Sequence, residues 1–213
     1  ARTVPIGAPP AREAADDHAA EVLQIERARR DPIDFAPLYE RYVDAVHGYC
    51  ARRVTDPELA ADLTSQIFTR ALTALPRYRP GITPGTFRSW LFSIAHNLVI
   101  DTHRTRKETR SLDADSAPIV RDPAPTPEDH ALVSDTRRAL TAAMNQLTPG
   151  QRQIVELRLA GLTGPEIAGV LGMQLTAVKS GQFRAYARLR ELLQGHVYAG
   201  DAAGNAGEGP FDV

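Results

Sequence analysis

With 213 residues, 43% of them hydrophobic and 24% charged, the chain has room for one good core or two modest ones, and its makeup excludes both a disordered and a membrane class. A formal net charge of -1 excludes a polycation, so any affinity for phosphate has to come from local clusters of Lys and Arg. Cys50 is the only cysteine, which excludes an intramolecular disulfide framework and a multi-thiolate metal site and fits a reducing cytosol.

Residues 1–15 are rich in Pro, Ala and Gly and are expected to form a flexible tail. Neither a signal-peptide pattern nor a run of roughly 18 apolar residues is present, so the expectation is a soluble cytoplasmic protein. From Asp16 onward the apolar spacing becomes helical. Val22 and Ile25 mark one helix, and Phe35, Leu38, Tyr42, Val46 and Tyr49 mark a second. Asp56 and Pro57 have the character of an N-cap and first helical residue, followed by the stripe Leu59, Leu63, Ile67, Phe68, Ala71 and Leu75, and Pro76 ends that helix. Two Pro-Gly pairs between Arg77 and Thr86 predict a loop. A long helix then runs from Phe87 to about Arg106, with Leu91, Ile94, Leu98 and Val99 on its apolar side and a basic cluster at its end.

Four prolines interrupt the stretch from Glu108 to Asp129, and over Lys107 to Asp129 three basic and six acidic residues sum to -3. This is read as a linker. A second helical region follows, carrying Leu140, Ala143, Met144 and Leu147, then Ile154, Leu157 and Leu159, then two more helices. The expected division is a tail over 1–15, a first domain over 16–107, a linker over 108–128, a second domain over 129–195 and a disordered tail over 196–213. The fold class is all-α, two small helical domains joined by a flexible linker.

The sharpest local pattern starts at Thr163. Thr163 and Glu166 form a capping box with Pro165 in the first turn, Ile167, Ala168 and Leu171 point to one side, and Gly172 supplies the positive φ that ends the helix. The next helix begins within about three residues, the spacing of a helix-turn-helix whose second member reads the major groove. On it, Val178, Ala185, Leu189 and Leu192 form the inward stripe, leaving Lys179, Ser180, Phe183, Arg184 and Arg188 outward. From Thr148 to Gly195 six basic and three acidic residues give a local +3. A plain helical hairpin with a solvated basic face satisfies the same pattern.

A second constellation precedes the linker, where Tyr78, Phe87, Trp90 and Phe92 are interleaved with Arg77, Arg79, Arg88, His103, Arg104, Arg106, Lys107 and Arg110. Aromatic platforms and cations together hold single-stranded nucleic acid. The rings serve equally well as core residues. Asn97, seven residues after Trp90, lies near the same helical face, where its amide can bond the edge of an unstacked base or simply face solvent.

These residues resemble the extracytoplasmic-function class of the sigma-70 superfamily. The resemblance runs over most of Phe35 to Leu193 and is carried by the segments from Phe35 to Tyr42, from Ala61 to Ala71, from Phe87 to Asn97 and from Glu166 to Gly172, in the family's order. It implies a region 2 domain that binds the RNA polymerase clamp and the −10 element, and a region 4 domain that binds the β flap and the −35 element. By position, Asp62, Leu63, Gln66 and Phe68 correspond to polymerase contacts. Asn97, with Tyr78, Arg79, Arg88, Trp90 and Arg104 around it, corresponds to the −10 surface, and the loop from Tyr78 to Thr86 to the pocket of a flipped base. Lys179, Ser180, Phe183 and Arg184 correspond to the −35 surface.

The implied activity is promoter recognition and strand opening without enzymatic turnover, metal or cofactor, under the control of an anti-sigma protein. Departures from the family pattern are Gly181 for a usual Arg, Gln174 for a Ser or Thr cap, Gln182 for Leu, Ser65 and Gln66 for a Gln-Glu pair, and His96 for a frequent Arg. The departures at Gly181, Gln174 and Gln182 predict weaker or altered −35 contacts, and those at Ser65, Gln66 and His96 set the polymerase and promoter contacts of region 2 apart from the family pattern. Two other readings of the residues remain at this point. One is a stand-alone helix-turn-helix regulator. The other is a nuclease or phosphotransferase using Asp113 and Asp115, for which no partner motif is found.

Overall fold

The computed structural model describes residues 11–54, 56–83, 85–112 and 130–204, and side chains over 17–105 and 138–194 apart from positions 55 and 84. Among these residues there are α-helices and short 3₁₀ turns and no strand. The chain divides into two compact units between Asp115 and Ser116, a point inside the expected linker.

The first unit comprises α1 (Ala11–Arg30), α2 (Ala36–Arg53), α3 (Pro57–Ala74) and α4 (Phe87–Leu112), with 3₁₀ turns at Pro32–Phe35 and Leu75–Arg77. Helix α1 starts five residues inside the predicted tail, because the run Ala11, Glu13, Ala14, Ala15 consists of strong helix formers. Asp56 caps α3 as expected, its carboxylate accepting from the amides of Glu58 at 3.0 Å and Leu59 at 3.4 Å. The core is built from Leu38, Val46 and Tyr49 of α2, Leu63, Ile67 and Ala71 of α3, and Phe87, Leu91, Phe92, Ala95 and Val99 of α4, all buried. Cys50 lies in the same core, and burial pushes its thiol up to about 11.

The second unit comprises α5 (His130–Asn145), α6 (Pro149–Leu159), α7 (Gly164–Leu171) and α8 (Leu175–Gly204). Thr148 caps α6 through a reciprocal pair with Gln151. Ala143, Leu147, Val155, Ala185 and Leu189 form one buried cluster, with Met144, Leu192 and Leu193 packed against it. Two positions expected in the apolar stripes turn outward instead: Leu140 and Leu159 are exposed.

The start of the predicted linker and the start of the last tail need correction. Helix α4 continues to Leu112 and α8 to Gly204, so residues 108–112 and 196–204 are helical. An existing helix extends at little cost when the following residues are competent formers, and Ala199, Ala202 and Ala203 are among them. Residues 113–129, including Asp113 and Asp115, and residues 1–10 and 205–213 lie outside the described residues. So do the side chains of Arg106, Lys107 and Arg110.

Candidate nucleic-acid interface

The loop between α3 and α4 is held by its own backbone. The carbonyl of Arg79 accepts from the amides of Ile82 at 3.1 Å and Thr83 at 2.8 Å, and the Thr83 hydroxyl accepts from the Arg79 amide at 2.9 Å. Gly85 has φ +83°, and a Cβ there would fall 2.3 Å from the Ser89 hydroxyl oxygen. Only glycine joins this loop to α4 without displacing Ser89. Thr86 then caps α4, its hydroxyl oxygen accepting from the Ser89 amide at 3.2 Å. Ile82, which the sequence reading did not single out, stands 80% exposed near the loop tip; a lone aliphatic residue between turn signals carries no periodicity that would reveal it.

Three rings gather beneath this loop. Tyr78 and Phe87 meet edge to face at 5.5 Å, Tyr78 and Trp90 lie 4.9 Å apart, and Phe87 and Trp90 5.3 Å apart. Tyr78 and Phe87 are buried, and burial raises the Tyr78 phenol above its ordinary range, with the Glu21 charge adding to it. The expectation that Tyr78 presents a stacking face is therefore corrected: its ring is taken up by the core. Trp90 is half-buried and keeps part of its indole open, while Asn97, two turns further along α4, is exposed. Arg104, two turns beyond that, is exposed as well.

The arginines divide by role. Arg88 is half-buried, with its guanidinium carbon 5.7 Å from the centre of the Tyr42 ring. Arg79 is exposed, but its guanidinium folds back to donate to the carbonyls of Pro76 and Tyr78, so it ties down the loop. His96, at a position where the family pattern frequently has Arg, is buried and shares a 3.1 Å hydrogen bond with the Tyr49 hydroxyl. Burial, and secondarily the charge of Arg53, lowers its pKa.

On α3 the four residues expected to meet a protein partner separate into two pairs. Asp62 and Gln66 are exposed. Leu63 and Phe68 are buried and are corrected to packing residues. Phe68 lies 4.7 Å from Tyr39 and 6.3 Å from Phe35. Tyr39, 43% exposed over Phe68, extends that surface. Its place four residues after Phe35 was the signal that could have found it.

In the second unit the helix-turn-helix has the expected geometry. The Thr163 amide donates to the Glu166 carboxylate at 2.7 Å, Gly172 adopts φ +63°, and α8 begins at Leu175. Lys179, Ser180, Phe183 and Arg184 are all exposed, Phe183 at 76%. Tyr186 and Arg190, which the sequence reading passed over, are exposed on the same helix and share a face with Lys179 and Phe183 at helical spacing.

The local positive charge is partly structural. Arg152 donates to the Met144 carbonyl at 3.1 Å, Arg158 to the Leu162 carbonyl at 2.9 Å, and Arg188 to Gln146 at 3.4 Å. Arg188 also pairs with Glu191.

Gly181 is corrected most plainly. It is buried, and a Cβ there would come within 2.6 Å of the Ile154 Cδ1. The missing side chain is thus absent from the α6–α8 contact, and the outward face of α8 loses no charge by it.

Comparison with known proteins follows this division. The model of sigma-70 region 2 matches residues 38–109 and that of sigma-70 region 4 matches residues 137–189. The chain is 35% identical over 185 residues to the ECF RNA polymerase sigma factor BldN of Streptomyces coelicolor, covering 85% of this chain and 69% of that protein. It is 32% identical to the RNA polymerase sigma factor CarQ of Myxococcus xanthus, over 79% of this chain and 95% of that one. Among solved structures, CnrH in complex with the cytosolic domain of CnrY has the same fold, with a TM-score of 0.62 and 24% identity over 83% of this chain and 98% of that one. The sigma factor RpoE of Bartonella quintana, in complex with the anti-sigma factor NepR, follows with a TM-score of 0.60 and 22% identity over 76% of this chain and 97% of that one.

Proposed function

The chain belongs to the extracytoplasmic-function class of sigma-70 RNA polymerase sigma factors, and on that premise we propose how its two units divide the work of initiation. The exposed face of α8, with Lys179, Ser180, Phe183 and Arg184, takes the −35 duplex. Lys179 and Arg184 reach phosphates or guanine edges. The α4 surface holds one strand of the −10 element once it has separated. Asn97 bonds the edge of an extruded base, Trp90 offers a ring edge, and Arg88 and Arg104 neutralise phosphates. Asp62, Gln66 and Tyr39 face the polymerase clamp, with Leu63 and Phe68 as the packing beneath them.

Strand opening on this account consumes no nucleotide. Capturing an extruded base offsets the few kcal/mol of stacking and pairing lost when it leaves the duplex, and a surface already rigid before DNA arrives forfeits little ordering entropy. The protein acts in the cytoplasm as an initiation factor and not as an enzyme, with an anti-sigma protein covering its polymerase-binding face until a signal releases it. Among the described residues no helix is long and apolar enough to cross a membrane.

The observation that carries this reading is the exposure of Asn97 on the same helix as half-buried Trp90 and Arg88. Run-off transcription from genomic fragments with purified core polymerase and this chain identifies a promoter, and permanganate footprinting then reports its opening. Asn97→Ala is expected to lower the reactivity of −10 thymines about ten- to a hundredfold, the equivalent of one lost base-edge contact, with closed-complex affinity within about twofold. Equal losses at both steps would remove Asn97 from the role given to it.

A further inference from the structure

Glu21 of α1 is a carboxylate buried to 8% exposure, outside every segment that carries the family resemblance. Burying a charge costs several kcal/mol unless it is paired and hydrogen-bonded. Here the Tyr42 hydroxyl donates to it, and the Arg41 Nε lies 3.8 Å away. Arg41 is itself bonded to Asp17, one turn earlier on α1.

Tyr42 is buried as well. Burial, the bond to Glu21 and the carboxylate charge together raise its phenol far above the ordinary value, so it stays a neutral donor. Its ring lies 5.6 Å from Phe87 and lies beneath the Arg88 guanidinium. A hydroxyl that donates to a carboxylate pushes electron density into its ring, and a richer ring holds a cation above it more firmly. The series Glu21, Tyr42, Arg88 thus crosses from α1 through α2 to α4.

We propose that Glu21 and Tyr42 are positioning residues for promoter opening: their buried hydrogen bond fixes Arg88 against the Tyr42 ring, at the height where it meets the phosphate of the captured strand. The inference rests on the reading of α4 as the strand-holding surface. Glu21 and Tyr42 touch no DNA. They act by limiting the orientations of Arg88 before the strand arrives, which reduces the entropy lost on capture.

The test uses holoenzyme made with the full chain and the promoter found by run-off transcription, in two forms: intact duplex, and the same fragment with its −10 region mismatched and already open. Glu21→Gln keeps an acceptor for the hydroxyl and removes the charge; Tyr42→Phe keeps the ring and removes the donor. Each is expected to lower the permanganate-reactive fraction on intact duplex, and the affinity for the mismatched fragment, on the order of three- to tenfold. In an Arg88→Ala background neither should add a further loss, a coupling that a merely structural role would not produce.

An undiminished loss in that background, no loss in either variant, or unfolding of both would overturn the proposal. Should one variant fail to fold, the other carries the same coupling measurement. The underlying reading is tested separately, because it fails if Asn97→Ala and Trp90→Ala leave opening intact or weaken closed binding equally, whatever Glu21 and Tyr42 do.

Discussion

Helix α4 meets its neighbours through large rings, Phe87 against Tyr42 and Tyr78, Phe92 against Tyr49, whereas α8 meets α6 through a glycine and lays Ala185 into the cluster beside it. The side chains they present differ to match. On α4, Arg88 and Trp90 are half-embedded, Arg88 on a ring and Trp90 against two others, with Asn97 and Arg104 exposed further along the helix. Along α8 the candidate residues stand out into solvent. A duplex brings its own groove, so a rigid helix with adaptable side chains suffices to read it. A single strand has no fixed shape, and a surface that captures one has to supply the shape itself.

The two exposed-or-buried phenylalanines give the largest contrast. Phe87→Ala empties a site that is 2% exposed and should destabilise the first unit by about 3–5 kcal/mol, read as a lower urea midpoint. Phe183→Ala, at a site 76% exposed, should change stability by less than about 0.5 kcal/mol while weakening duplex binding by the holoenzyme. If both cost the same stability, the distinction between an embedded and a solvated surface collapses.

Next in size is the close contact under α8. Gly181→Leu should destabilise the second unit by about 1–3 kcal/mol through overpacking, and adding Ile154→Ala should recover part of it, because Ile154 occupies the space concerned. A neutral Gly181→Leu, or a purely additive double variant, would show that the helices do not need this approach.

Lys179→Ala and Arg184→Ala sharpen the account of α8 itself. Each should flatten the dependence of log affinity on log salt by about one unit per phosphate contact removed. Arg152→Ala, whose guanidinium is taken up by the Met144 carbonyl, should leave that slope unchanged and lower stability instead.

The smallest effect concerns His96. Its folded-state pKa lies below the ordinary 6.5, so the unfolded chain takes up its proton more readily. The stability this contributes is present above that value and is lost as pH falls through it toward the folded pKa. His96→Gln should reduce the decline measured by urea unfolding between about pH 7.5 and 5.5, and an unchanged decline would assign it to other groups.

Much of the fold was legible because helices announce themselves locally. The Asp56 cap, the Thr163 to Glu166 box, Gly172 and the apolar stripes all depend on neighbours within about four residues, and all are found as read except that Leu140 and Leu159 turn outward. Helix ends were less legible. Nothing local forbade α1, α4 and α8 from running on, so their extra turns depend on propagation from helices already formed.

Surface assignment was the least legible part. A family position marks Leu63, Phe68, Tyr78 and His96 without telling whether the side chain turns toward a partner or into the core, and all four are buried.

The sequence by itself determined the all-helical class, the division into two helical regions, the helix-turn-helix and the outward face of α8, since periodicity and capping are short-range properties. Only the tertiary structure decided which aromatics are core and which remain open, that Gly181 is a packing position, and that Glu21 reaches Arg88 through Tyr42. Those facts join residues tens of positions apart, and a contact between distant residues is set by how whole helices pack, which no local pattern encodes.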